Sequence, residues 1–307
     1  MTWNDVVLHL GGLSFLGATL RVTTPILLAA LGALISDRAG VINIAVEGTM
    51  LVGAFAGVVF SAWTGSAWLG LLGAIMAGVA VGGVLAFAVH VLRADLILSG
   101  VAINIAAASG TVLLLFALTG DKGMSGALPS KVLPNLDLPL GAGGLGAVLG
   151  HQHVLTWAAF MLVPLLSVLL RRTPFGLRLR AVGEAPDAAA AAGVRVVRVQ
   201  VAALLLSGAL AAMGGAFLSM GYVTWFTGGI SAGRGYIAIA AEVMGGGTAF
   251  GTAIAAVVLG AADALATSLQ GLGLPSELMQ TVPYLVPVVA LVLHAARPGF
   301  RRRRYVT

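Results

Sequence analysis

Between Arg171 and Arg198 the chain reads RRTPFGLRLRAVGEAPDAAAAAGVRVVR, and the six arginines of this stretch constrain the fold more than any other feature, because nearly everything around them is apolar enough to sit in lipid. An arginine at the centre of a spanning helix costs about 2.5–3.5 kcal/mol on insertion scales. A connector holding six of them stays outside the hydrocarbon, and the positive-inside rule assigns it to the cytoplasm. Within it, Pro186 suits the first turn of a helix, where its missing N–H is no loss. Glu184 and Asp187, joined through Ala185, fall at the positive end of that helix's dipole; Ala188 to Ala192 propagate it and Gly193 closes it. A helix this short is not stable alone. It reads either as a docking element for a second protein or as a connector lying on lipid headgroups.

Composition sets the class. With 59% hydrophobic residues, 9% charged residues and a mean hydropathy of +1.03, the chain lies outside the range of soluble domains and reads as a polytopic membrane protein. Its 43 glycines suit close helix packing in lipid. Zero cysteines exclude disulfides, thiolate nucleophiles and cysteine metal sites. The net charge of +6 is explained by topology, since the arginines lie at membrane edges and no basic stripe with interleaved aromatics suggests nucleic acid. The N-terminal MTWNDVVLHL has no basic residue before Arg21, so it is not expected to be cleaved as a signal peptide.

Taken in order, residues 26–35 end a first apolar segment that begins near Leu10, and 41–63, 69–92, 96–118, 154–170, 199–220 and 277–296 are further candidate spans. Residues 119–153 form a long Gly- and Pro-rich connector, and 221–235 a glycine-rich outer loop. Two shorter apolar pieces, 236–244 and 252–269, flank Gly245-Gly246-Gly247 and predict a broken or re-entrant helix. The expectation is a single all-α transmembrane bundle over residues 1–307 with roughly eight to ten spans. Thirteen of the 17 Lys and Arg residues fall on the cytoplasmic side of that topology. The regions around Glu47 and Glu242 each join an acid to glycine-interrupted apolar sequence, a weak symmetry consistent with internal repeats.

Glu47 and Glu242 are intramembrane acids and so candidates for a pathway or a proton relay; the competing role for each is to brace backbone at a helix break, Glu47 by pairing with Arg38. Asn43, Asn104 and Gln280 can bind a polar solute or join helices. Trp225 and Phe226 can stack on a flat ring or belong to an interfacial belt. His151 and His153 lack a third ligand nearby, so no metal site is expected. Neither lysine ends a GxxxxGK[ST] pattern, so any ATP and Mg that power the protein are bound by another subunit and this chain needs no cofactor of its own.

Two stretches then carry a resemblance. SDRAGVINIAVEGTMLVGAFAG, starting at Ser36, and FGLRLRAVGEAPDAAAAAGV, starting at Phe175, followed in order by SGALAAMGGAF, GGISAGRGYIAIA and PYLVPVVALVL, resemble the inner-membrane permeases of bacterial ABC importers in the branched-chain amino acid and simple-sugar superfamily. The Val46-Glu47-Gly48 form looks most like the nucleoside-type permeases that work with basic-membrane-protein-like binding lipoproteins. The resemblance implies an ABC ATPase gripping residues 184–193, a second and longer permease chain completing a heterodimer, an extracytoplasmic binding lipoprotein, and a place in the bacterial inner membrane with the C-terminus cytoplasmic. Asn43, Glu47, Asn104, Trp225 and Phe226 are the pathway candidates. A sugar or amino acid cargo is the nearest alternative, and a proton-coupled secondary transporter is the alternative from another class. Met244-Gly245-Gly246-Gly247-Thr248 departs from the pattern of the relatives.

Overall fold

A computed structural model of the chain describes residues 13–126, 128–137 and 150–269. In order, it contains α1 (Leu13–Arg38), α2 (Val46–Thr64), α3 (Ala67–His90), α4 (Leu96–Thr119), β1 (Asn135–Asp137), β2 (His151–His153), α5 (Val154–Arg172), α6 (Pro174–Glu184), α7 (Pro186–Ala191), α8 (Val196–Phe217), a π-turn (Leu218–Tyr222), α9 (Arg234–Met244) and α10 (Ala249–Leu269). Among the described residues seven helices, α1 to α5, α8 and α10, are long and apolar enough to cross a membrane. The expected span 277–296, with Gln280 and the basic tail, lies outside the described residues. Among the described residues the bundle is all-α apart from the short antiparallel ribbon β1–β2, in which Leu136 faces Gln152.

The elements end where local chemistry ends them. Asp95 caps α4, its carboxylate accepting from the N–H groups of Ile97 and Leu98 at 2.9 Å each. Thr173 caps α6 by accepting from the Gly176 N–H at 3.1 Å, with Pro174 in the first turn. Gly193 closes the turn after α7 at φ +84°, and Val194 N–H reaches back to the Ala189 carbonyl, the C-cap expected of it.

Helix α8 is the centre of the bundle and packs on α1, α2 and α3. It does so through backbone. A Cβ at Gly208 would stand 2.2 Å from the Gly78 carbonyl oxygen of α3, and one at Gly215 would stand 1.9 Å from that of Met50 in α2. Lipid-immersed helices gain little from the hydrophobic effect against one another, so contact at this range is what holds them. Helices α1, α2 and α8 are mostly buried, whereas α3, α4 and α5 turn rows of Leu, Val, Ile and Met outward.

The structure corrects three readings. The arginine stretch holds two helices rather than one: Leu179 and Val182 of α6 are buried against the bundle, an amphipathic pattern masked by four arginines nearby. Glu184 consequently ends α6, at the negative end of its dipole, and only Asp187 lies in the first turn of α7. The span that begins with α8 does not run as a regular helix to Met220; it widens into the π-turn, where Gly221 faces the His153 ring so closely that a Cβ would stand 2.6 Å from Nε2. Finally, the outer loop 221–235 is exposed only in part, at Tyr222, Trp225 and Gly228 among others, and it ends at Gly233, where α9 begins. Phe226, Ile230 and Ser231 are buried, and the segment folds into the bundle toward α2.

Candidate functional site

Helix α9 is 11 residues long, about 16 Å at helical rise, half of what a membrane requires. Its N-terminus is met by Glu47, from the first turn of α2. The Glu47 carboxylate accepts from Ser231 Oγ at 2.5 Å and the Gly233 N–H at 2.9 Å through Oε1, and from the Gly235 N–H at 2.7 Å through Oε2. An acid supplied by another helix thus satisfies the free amide donors at the start of a broken helix and opposes its positive dipole end.

The other end of α9 is met by Arg38, the last residue of α1. Its Nε donates to the Gly247 carbonyl at 2.7 Å, and Nη2 donates to the carbonyls of Gly246, at 3.3 Å, and Gly247. Gly246 and Gly247 adopt φ +61° and +67°, the left-handed region that a side chain resists. The half-helix is therefore clamped between an anion at its positive end and a cation at its negative end. Glu47 and Arg38 serve the two ends of α9 and do not pair with each other.

Glu242 lies near the Arg38 end, buried, beside Asp37 and Arg38. The two acids that suggested repeated halves meet instead on one half-helix, one at each end. Asn43 is buried; its Nδ2 donates to Ser207 Oγ of α8 at 2.9 Å and its Oδ1 accepts from the Ala45 N–H at 2.9 Å. Asn104 accepts from the Gly48 N–H at 2.7 Å and donates to the Ile44 carbonyl at 2.9 Å and Tyr236 Oη at 3.3 Å. Both amides thus fasten the stretch before α2 to neighbouring helices. Phe226 packs edge-on against Phe55, centroids 5.4 Å apart, in the core and not in a belt, while Trp225 beside it is 43% exposed. The exposed hydroxyphenyl of Tyr236, which the sequence reading passed over, shares a face with Asn104.

Ser231 was also missed, although Gly229-Ile230-Ser231-Ala232-Gly233 spells the G-x-S-x-G of a nucleophile elbow. Its hydroxyl is buried and committed to Glu47, and turn residues 228–230 rather than a strand lead into it, so it works as part of the cap.

His153 marks the opposite end of the bundle. It caps α5 by accepting from the Leu155 N–H through Nδ1 at 3.2 Å, and its ring stands edge-on to Phe217 at 5.0 Å. Burial lowers its pKa from 6.5 to about 4; the Leu133 backbone offsets part of this, though Nε2 has no well-aligned hydrogen-bond partner. The folded protein refuses a proton that the unfolded chain accepts below 6.5, so stability falls as pH drops from 6.5 toward about 4 and levels off below. Thermal unfolding across that range is expected to show a loss of up to about 3 kcal/mol from this group, flattened by His153→Asn, which keeps a capping acceptor and does not titrate.

The arginine stretch presents its short helices outward. Glu184, Ala185, Pro186, Asp187, Ala188 and Gly193 are all exposed, and Ala189 alone in α7 is buried. Beside them Arg178, Arg195 and Arg198, with Phe175 and Val199, line a cavity of about 530 Å³. Residues 15–291 match the model of a family described as the branched-chain amino acid transport system permease component. The chain belongs to that permease family. The permease is 34% identical to the guanosine ABC transporter permease protein NupQ of Bacillus subtilis, with 89% of each chain covered. It is 33% identical to TsgC13 of Haloferax volcanii, provisionally named a glucose ABC transporter permease protein, over 90% of each, and 32% identical to the nucleoside ABC transporter permease protein NupC of Lactococcus lactis, over 88% of this chain and 89% of that one. No solved structure matches it significantly. Its seven described spans make the permease a multi-pass membrane protein, and the half-helix with its two clamps lies within the matched region.

Proposed function

We propose that this permease is one of two membrane subunits of an ABC importer in a bacterial inner membrane, and that its cargo is a nucleoside. The observation that carries the reading is the likeness along nine-tenths of the chain to permeases named for guanosine and nucleosides, joined to an arginine-flanked helix pair whose outer face, Leu177 and residues 184–188, is exposed among the described residues. A separate ABC subunit binds ATP and Mg and grips α6 and α7, with residues 171–198 and the C-terminus in the cytoplasm. A longer paralogue completes the pathway, and an extracytoplasmic lipoprotein delivers the nucleoside to the opposite end of the bundle. Trp225, with Asn104 and Tyr236, faces the route, while Asn43, Glu47 and Phe226 hold its wall. A sugar is the second reading, favoured by the nearly equal likeness to TsgC13.

The test is uptake of labelled nucleosides into proteoliposomes holding this chain, its paralogue, the ATPase and the binding protein, with ATP on the ATPase side. ATP-dependent nucleoside uptake is the expected result. Sugar uptake in its place would keep the machine and replace the cargo, and uptake driven by a pH gradient without the ATPase would overturn both. The docking role has its own test in Leu177, 61% exposed on α6 beside the arginines. Burying a leucine contributes about 1.5–3 kcal/mol, so Leu177→Asp is expected to weaken ATPase co-purification by at least about tenfold while leaving the melting temperature of the permease unchanged.

A further inference from the structure

We infer that Arg38 is the positioning residue through which movement of α6 reaches the half-helix α9. Three elements converge on it. Its side chain holds the Gly246 and Gly247 carbonyls at the break that ends α9. Its own carbonyl oxygen lies against the last turn of α6, where a Cβ on Gly183 would come within 2.4 Å, and a Cβ on Gly40, at φ +74°, would stand 3.2 Å from the Gly183 Cα. Gln200 of α8 donates to the Ala39 carbonyl at 3.3 Å and anchors the same corner to the centre of the bundle. Between α6 and this corner backbone meets backbone. A displacement of α6 is passed on rather than absorbed by side-chain rotation, because close-packed contacts transmit strain.

Arg38 also has room to change partners. Two cavities, of about 190 and 320 Å³, lie against it, and both are lined as well by Arg180 and Glu184 of α6. The Glu184 carboxylate shares both cavities with the guanidinium, as does the like charge of Arg180, so a shift of α6 changes which of them Arg38 meets. Besides the carbonyls of the break, Arg38 has carboxylates around it, Asp37 and Glu242 at the same corner and Glu184 across the cavities, and of these only the reach to Glu184 depends on the position of α6. Such a two-state contact is what a drive on one element needs in order to bias another. Since Glu47 fixes the far end of α9, the half-helix responds as a lever pinned at its start and released or held at its break.

This inference rests on the importer reading above. Its test is the number of solute molecules moved per ATP hydrolysed by the reconstituted complex carrying Arg38→Ala or Arg38→Lys, with assembly followed by co-purification. A purely structural loss removes active complexes and lowers transport and hydrolysis together, leaving that ratio unchanged. Arg38→Ala is expected to keep hydrolysing ATP while the ratio falls by about tenfold, the size of an ordinary coupling effect. Arg38→Lys keeps the charge without the planar fork and is expected to fall between; if the alanine variant does not assemble, the lysine variant decides. A wild-type ratio in the assembled variants overturns the inference whether or not their rates fall. If the wild-type complex moves a sugar and no nucleoside, the cargo reading alone fails and the ratio is read with the sugar; if it moves nothing with ATP, both fail.

Discussion

Glu47→Ala is expected to destabilise the protein by about 3–5 kcal/mol and to abolish uptake. The change strands three donors at once: the Ser231 hydroxyl and the N–H groups of Gly233 and Gly235, all now satisfied by one carboxylate at 2.5–2.9 Å. Ser231 and Gly235 are buried, and water is not at hand to replace the acceptor. The loss also leaves the positive end of α9 without its counter-charge. Glu47→Gln keeps one oxygen for Ser231 and Gly233 but turns an amide NH2 toward the Gly235 N–H, so about half the loss is expected. Thermal unfolding of the purified protein beside uptake separates the roles. A glutamine variant as stable as the wild type but unable to transport would show that Glu47 acts on the solute and not on the half-helix.

Gly215→Val is expected to prevent accumulation of folded protein, and Gly215→Ala to cost about 3 kcal/mol or more. The added Cβ would fall 1.9 Å from the Met50 carbonyl oxygen, and a backbone atom cannot rotate aside. Helix α8 would have to withdraw from α2, and since it also meets α1 and α3, the shift would open contacts on every side. Gly110 of α4 is the control. A Cβ there meets nothing within 4 Å, so Gly110→Ala is expected to stabilise slightly, by about 0.5–1 kcal/mol, as helical alanine replaces glycine. Comparing the two in detergent melts distinguishes packing from the intrinsic cost of glycine in a helix. A Gly215→Ala variant that melts with the wild type would mean that α2 and α8 do not meet backbone to backbone at Gly215.

Much of the fold was legible because it depends on quantities that add along the chain. Apolar runs of spanning length, arginines that cannot enter lipid, and Gly245-Gly246-Gly247 between two short apolar pieces are local, and they placed the long helices α2 to α5 and α8 within a few residues of where they stand. Pro186 and Gly193 bounded α7 for the same reason. Helix α6 escaped notice because its buried face, Gly176, Leu179 and Val182, is three residues interleaved with charges and shows as a face only once a bundle lies beneath it.

The functional residues divide in the same way. Sequence by itself determined that Glu47, Glu242, Asn43 and Asn104 stand at polar positions in apolar surroundings, since their cost in lipid follows from residue type alone. Only the tertiary structure decided what each one does. Glu47 and Ser231 are separated by 184 residues and Arg38 and Gly247 by 209, and nothing in either neighbourhood specifies the other. A broken helix has free donors at one end and free acceptors at the other, and which side chains satisfy them is set by how the other helices pack around it. Here α1 ends and α2 begins on either side of α9, so the same short corner of chain supplies the cation for one end and the anion for the other.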